Sequence, residues 1–221
     1  MKKIAIIDIG SNSIRLVIVQ INKDNSFRII DEVKESVRLG KDMTLKGELN
    51  SSRIEMAIAT LSFFKRLCLI QNINEILAIA TEAVRKATNQ KEFLRRVKTE
   101  LSIDIRVLTG IQEAYYDYFG AINSMDFSDA LIMDIGGSSS ELILVKNRKL
   151  IHSISLPFGA INLTEKFSLQ KAMDTKSETA IKNFLTSLFK DIPWLKDVEN
   201  VPIIGIGGTI RNIGKTTSKK D

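Results

Sequence analysis

Ile4-Ala5-Ile6-Ile7-Asp8-Ile9-Gly10-Ser11 and Leu131-Ile132-Met133-Asp134-Ile135-Gly136-Gly137-Ser138 are one pattern written twice in a single chain. Each begins as a short aliphatic run of the kind that forms a buried strand. Each is closed by an aspartate, an isoleucine and a glycine turn. A second strand-like run follows both turns, Ile14 to Ile21 in the first case and Glu141 to Val145 in the second. A unit of strand, aspartate, glycine turn and strand that recurs at this distance predicts two similar α/β lobes. The polar stretch from Asn123 to Asp129 separates them. It predicts a first lobe over residues 1–123 and a second over residues 124–221.

Turn residues Asn22 to Asn25 join Ile14–Ile21 to a third run, Phe27 to Val33, as consecutive hairpin strands. From Ser51 the period changes. Ile54, Ala57, Ile58, Leu61 and Cys68 recur on one helical face, with Asn50 or Ser52 as N-cap. Ile76 to Ala80 reads as a short buried strand, and Ala83 to Ala87 and Glu92 to Glu100 as helices. Ile103 to Leu108 is strand-like, and a helix is expected over Gln112 to Ile122. A third glycine turn, Gly207-Gly208-Thr209, follows the apolar run Val201 to Ile204.

Aspartate-led glycine turns have a definite chemistry. Glycine admits close approach and positive φ, and successive backbone N–H groups at such a bend form a concave nest for an anion. A carboxylate beside a bound phosphate is repelled unless a cation lies between them. Mg²⁺ suits that place, because it binds through one or two carboxylates and phosphate oxygens. Neither turn is a Walker A loop, since no Gly-Lys-Ser/Thr follows, and neither is a dinucleotide fingerprint, since a strand rather than a helix comes next. His152 is the single histidine, so a zinc centre or a histidine-based nucleophilic triad has no material.

Bulk properties narrow the class. The chain has 221 residues, 44% hydrophobic and 26% charged, as in ordinary globular proteins. Apolar runs are too short to cross a bilayer, and Asp8 interrupts any secretory h-region. One cysteine, Cys68, excludes an internal disulfide and predicts a cytoplasmic location. The net charge of +6 favours polyanions. With aromatics at 6%, stacking platforms for nucleic acid are not expected.

Five segments together resemble a known family. They are Ile7-Asp8-Ile9-Gly10-Ser11-Asn12-Ser13-Ile14-Arg15-Leu16, Ala80-Thr81-Glu82-Ala83-Val84-Arg85, Thr109-Gly110-Ile111-Gln112-Glu113-Ala114, Asp134-Ile135-Gly136-Gly137-Ser138-Ser139-Ser140-Glu141-Leu142 and Gly207-Gly208-Thr209. In this order they resemble the exopolyphosphatase / guanosine pentaphosphate phosphohydrolase (Ppx/GppA) family. The resemblance implies two ribonuclease H-like lobes of the actin-like, sugar-kinase and Hsp70 ATPase superfamily around an interlobe cleft. It implies Glu113 as the base for water and Arg85 as the phosphate-gripping arginine. It implies a first phosphate loop at Gly10, Ser11, Asn12 and Ser13, and a second at Gly136, Gly137, Ser138, Ser139 and Ser140. The third loop is Gly207, Gly208 and Thr209. Asp134 and Glu141, together with Asp8, are the implied Mg²⁺ positions.

The resemblance further implies inorganic polyphosphate or guanosine pentaphosphate as partner, no membrane, no specific nucleic acid, and admits a homodimer. An ATP-dependent kinase of the same superfamily and an inactive polyphosphate-binding module are the other readings. Three departures stand out: Gln112 where many members carry a second glutamate, Ser138 in place of a commoner glycine, and a second lobe that stops soon after the third glycine turn and so is expected to be truncated.

Overall fold

A computed structural model describes residues 2–24, 26–43, 47–169 and 174–217. The chain divides into two compact units, Met1–Thr109 and Gly110–Asp221.

The first unit runs β1 (Lys2–Ile9), β2 (Ile14–Ile21), β3 (Phe27–Glu35), α1 (Ser51–Ile70), β4 (Ile76–Ala80), α2 (Glu82–Lys86), α3 (Gln90–Leu101) and β5 (Ile105–Val107). Its sheet has the order β3-β2-β1-β4-β5. The first three strands are antiparallel neighbours and β4 and β5 run parallel to β1. Alternation along β1 sends Ala5, Ile7 and Ile9 to one face, where all three are buried. Onto that face α1 lays Ile54, Ala57, Ile58, Leu61, Phe64 and Cys68, with Phe93, Val97 and Leu101 of α3 in the same core. Asn50 caps α1 by accepting the Ser52 amide at 2.9 Å. Lys65 of α1 donates to the Leu101 carbonyl at 2.6 Å, satisfying an end group that α3 itself leaves open.

The second unit runs α4 (Gly110–Ser124), β6 (Ala130–Ile135), β7 (Ser140–Lys146), β8 (Lys149–Leu156), α5 (Ala160–Lys166), α6 (Thr175–Lys190), a 3₁₀ turn (Pro193–Asp197), β9 (Ile203–Ile206) and α7 (Gly207–Thr217). The strand order β8-β7-β6-β9 repeats the first four positions of the first sheet, with β6, β7, β8 and β9 standing where β1, β2, β3 and β4 stand. Both units therefore have the ribonuclease H-like topology, and the second has four strands among the described residues. One face of this sheet packs Ile132, Ile143 and Val145 on Ala114 and Ala121 of α4. The other packs Leu142, Leu156 and Phe158 on Leu163 of α5 and Phe184, Leu185 and Leu188 of α6.

The unit boundary falls at Thr109/Gly110, ahead of the expected break at 123–129. The reason is α4. Its Ala114, Tyr118, Ala121 and Ile122 lie at helical spacing on one face and pack against the second sheet. The hydroxyl of Tyr118 also donates to the Arg148 carbonyl at 2.9 Å. β8, α5 and α6 had no counterpart in the sequence reading. His152 sits on β8 with its ring stacked on Trp194 at 5.6 Å. No helix among the described residues is long and apolar enough to cross a membrane.

Candidate active site

Period-two alternation fixes which carboxylates of the second unit meet. Asp134 shares a face with Ile132, and Glu141 with Ile143 and Val145. That is the face α4 covers, and Glu113 lies in the first turn of α4. Asp134 and Glu141 are also direct cross-strand partners. Like charges placed opposite each other in a sheet are destabilising, and here both are desolvated.

The electrostatics follow. Burial pushes the Glu141 carboxyl up from 4.5 to about 8. Hydrogen bonds from the hydroxyls of Ser155 and Ser139 pull it down, and the charges of Glu113 and Asp134 push it further up. Ser155 donates to Glu141 Oε1 at 2.7 Å. Burial likewise raises Asp134, and Arg211 of α7 opposes that rise. In the folded protein Glu141 holds its proton more tightly than in the unfolded chain. Its contribution therefore favours folding below about pH 4.5 and is lost as pH rises from there to about 8. Glu141→Gln removes this slope. The melting temperatures of wild type and variant, compared at about pH 5 and about pH 8, should diverge in the variant's favour at the higher pH.

The equivalent position in the first unit is built differently. Asp8 has Arg15 as cross-strand partner, and Arg15 pairs with Glu32 at 2.6 Å. Residues of opposite charge are paired across the strands there, where the second unit pairs two carboxylates. Among the described residues no group of three or more His, Cys, Asp or Glu side chains could hold a metal ion. A metal in the second unit would thus rest on Asp134 and Glu141, with the remaining positions filled by phosphate oxygens and water. That donor set fits Mg²⁺, which keeps several waters and favours carboxylate and phosphate oxygen.

The two glycine turns share their closure. The Gly10 amide donates to the Ser13 carbonyl at 3.1 Å, and the Gly136 amide to that of Ser139 at 3.0 Å. Of the hydroxyls expected at phosphate in the second loop, those of Ser139 and Ser140 are turned inward. Ser140 is 1% exposed and donates to the Phe158 carbonyl at 2.7 Å, and Ser139 hydrogen-bonds Glu141. In the first loop Ser11 is buried and Asn12 exposed. The third loop is not a bend between strands but the first turn of α7. Gly207 has φ +86°, a value L side chains rarely adopt, and a Cβ there would lie 2.5 Å from Asp134 Oδ1. Thr209 donates to the Ile135 carbonyl at 3.0 Å.

Arg85 belongs to the first unit. It donates to the Leu108 carbonyl at 2.6 Å and is ion-paired with Glu82. Lys86 pairs with Glu82 at 2.6 Å. Glu82 is buried and was missed as a site residue. Its signal was available: an acid one helical turn before an Arg-Lys pair at a strand end. Gly159, which follows β8, was also missed. A Cβ on it would lie 2.5 Å from Gly137 C and 2.6 Å from Ser138 N.

Comparison with known proteins now adds to this geometry. The model of the Ppx/GppA phosphatase family matches residues 17–219. The chain belongs to the Ppx/GppA phosphatase family. Among curated relatives of this Ppx/GppA member, a bifunctional 3-dehydroquinate synthase/phosphatase of Fusobacterium nucleatum is 34% identical over 93% of this chain and 32% of its own length. Exopolyphosphatase 1 of Mycobacterium leprae is 25% identical over 86% of this chain and 56% of its own. A guanosine-5'-triphosphate,3'-diphosphate pyrophosphatase of Pseudoalteromonas atlantica is 34% identical over 73% of this chain and 32% of its own. The chain thus spans between a third and somewhat over half of the length of these relatives.

Among solved structures, an exopolyphosphatase of Cytophaga hutchinsonii superposes with a TM-score of 0.91 at 26% identity, over 99% of this chain and 71% of that one. The ethanolamine utilization protein EutJ of Carboxydothermus hydrogenoformans shares the fold alone, with a TM-score of 0.53 at 14% identity.

Proposed function

We propose that the chain carries the catalytic carboxylates of a phosphohydrolase that releases the terminal phosphate of inorganic polyphosphate. What supports this is the cross-strand pairing of Asp134 with Glu141 beside the glycine turn at residues 136–139, and the charges of Glu113 and Asp134 that act on Glu141. Phosphoryl transfer needs positioning and charge stabilisation more than covalent chemistry. The turn's backbone amides hold phosphate oxygens. Asp134 and Glu141 would hold Mg²⁺, which would supply charge neutralisation at the phosphoryl oxygens. Glu113 orients the attacking water and takes its proton. The proton passes to the Glu113 carboxylate as the water oxygen bonds to phosphorus, and the bond to the bridging oxygen breaks. Arg85, in the first unit, is proposed as a phosphate-gripping arginine; Glu82, its ion-pair partner, is shared with Lys86.

The test is phosphate release from polyphosphate without added nucleotide, with and without Mg²⁺, and beside guanosine pentaphosphate. Release without nucleotide excludes a kinase. Release from guanosine pentaphosphate alone favours the second reading, which the Pseudoalteromonas relative supports. Binding of Mg²⁺ at Asp134 and Glu141 should displace the Glu141 proton near neutral pH, so calorimetry in buffers of different ionisation enthalpy should show proton release. Binding without any proton release counts against Glu141 as a ligand.

A further inference from the structure

The second glycine turn is held by its carbonyls, and one of the three holders is a side chain. The Ala160 amide donates to the Gly136 carbonyl at 2.9 Å and the Ile161 amide to the Gly137 carbonyl at 2.7 Å. Asn162 Nδ2 donates to the Ser138 carbonyl at 3.0 Å. Its Oδ1 accepts the Gly159 amide at 2.6 Å, and Nδ2 also reaches the Pro157 carbonyl at 3.3 Å. A trans peptide is planar, with C=O and the following N–H on opposite sides. Drawing the carbonyls of 136, 137 and 138 toward the start of α5 therefore turns the amides of Gly137, Ser138 and Ser139 the other way. That array of donors is what an anion nest consists of.

The first turn is held in the same sense by different groups. The Gly40 amide donates to the Ser11 carbonyl at 2.8 Å, and the Arg38 amide to the Asn12 carbonyl at 2.8 Å. In both units the segment leaving the third strand ties back the carbonyls of the turn after the first. Asn12 and Ser138 are equivalent in the repeat. A backbone amide holds the carbonyl of the first, and the Asn162 carboxamide holds that of the second.

We infer that Asn162 is a positioning residue for phosphate binding, setting the Ser138–Ser139 peptide so that its N–H rather than its C=O faces the substrate. The inference rests on the proposed role of this turn as a phosphate cradle. Two variants of the 221-residue chain separate positioning from simple helix capping. Asn162→Asp keeps an acceptor for the Gly159 amide but loses the donor to Ser138. Asn162→Leu is of similar size and uncharged, so repulsion of substrate by an added carboxylate cannot explain its effect.

Both should raise KM for polyphosphate about tenfold or more, the loss of one charge-directed hydrogen bond, with kcat changed less. Asn162→Asp should keep the cap on Gly159 and remain folded, with a cooperative melt. An aspartate variant that melts normally and has wild-type KM overturns the inference and leaves Asn162 a cap. A folded leucine variant with wild-type KM does the same. Tripolyphosphate binding by calorimetry gives a readout apart from turnover. A wild-type chain that neither binds tripolyphosphate nor releases phosphate from polyphosphate overturns the functional reading, and this inference with it.

Discussion

Replacing Glu113 by glutamine should lower phosphate release by about 10²–10⁴-fold, the usual contribution of a general base. Glutamine keeps the shape and hydrogen-bonding reach of the side chain but cannot take a proton from water. Tripolyphosphate affinity should stay within a few-fold of wild type, because the proposed mechanism assigns phosphate binding to the turn amides and not to Glu113. The substitution has a second consequence. Glu113 is one of the charges that raise the Glu141 carboxyl, so Glu113→Gln should lower the pH at which Glu141 titrates. Backbone-independent detection of that carboxyl, by infrared or carboxyl-carbon NMR, would read it directly. A Glu113→Gln or Glu113→Ala chain with wild-type kcat removes Glu113 from the role of base.

Gly159→Ala should be the most damaging single methyl in the second unit. The added Cβ would meet three backbone atoms, Gly137 C at 2.5 Å, Ser138 N at 2.6 Å and Gly136 O at 2.7 Å. No rotamer relieves a collision with backbone, so the turn or the start of α5 must move. Overpacking of this kind costs about 1–3 kcal/mol or somewhat more, a fall of several degrees in melting temperature for a chain of this size. Whatever moves takes the Ala160 and Ile161 amides off the carbonyls of Gly136 and Gly137, so phosphate release should fall with stability. Gly120→Ala is the control: nothing lies within 4 Å of a Cβ there, and the residue sits within α4, where alanine is a better helix former. If Gly159→Ala behaves like Gly120→Ala, the close approach described at Gly159 is not a constraint on the protein.

The repeat was legible because both halves carry the same aliphatic run closed by an aspartate, an isoleucine and a glycine turn. Ile7 and Ile9 in one half and Ile132 in the other leave little choice of secondary structure. Asn50 as the cap of α1 was legible for the same kind of reason, a local hydrogen bond with a local signal. What escaped was held by contacts distant in sequence. β8 carries Lys149, His152 and Ser153 among its apolar residues, so its alternation is diluted. Sequence reading sees α4 as a helix but not which sheet its alanines meet. Gly159 and Asn162 act on a turn a whole hairpin earlier, and no spacing within α5 reports that. The signal that existed was the repeat itself: Leu39-Gly40 after the third strand of one half matches Phe158-Gly159 after the third strand of the other, with Leu39 and Phe158 both buried.

The inward-turned hydroxyls of Ser139 and Ser140 show the limit of motif reading from the other side. A serine-rich loop suggests hydroxyls on phosphate. Here those two hydroxyls hydrogen-bond the Phe158 carbonyl and the Glu141 carboxyl.

Because each turn is tied back by the segment leaving its third strand, neither can take its working shape while that strand is still loose. A peptide covering only β6, the turn and β7 would have the glycines, the serines and the aspartate, and its carbonyls would be at liberty to swing toward an anion and repel it. During synthesis the same holds: the ribosome delivers the motif first and the part that gives it grip only after the hairpin is complete. Affinity for phosphate should therefore arise late in the folding of each half, as a property of a finished three-stranded meander rather than of the glycine-rich stretch that advertises it.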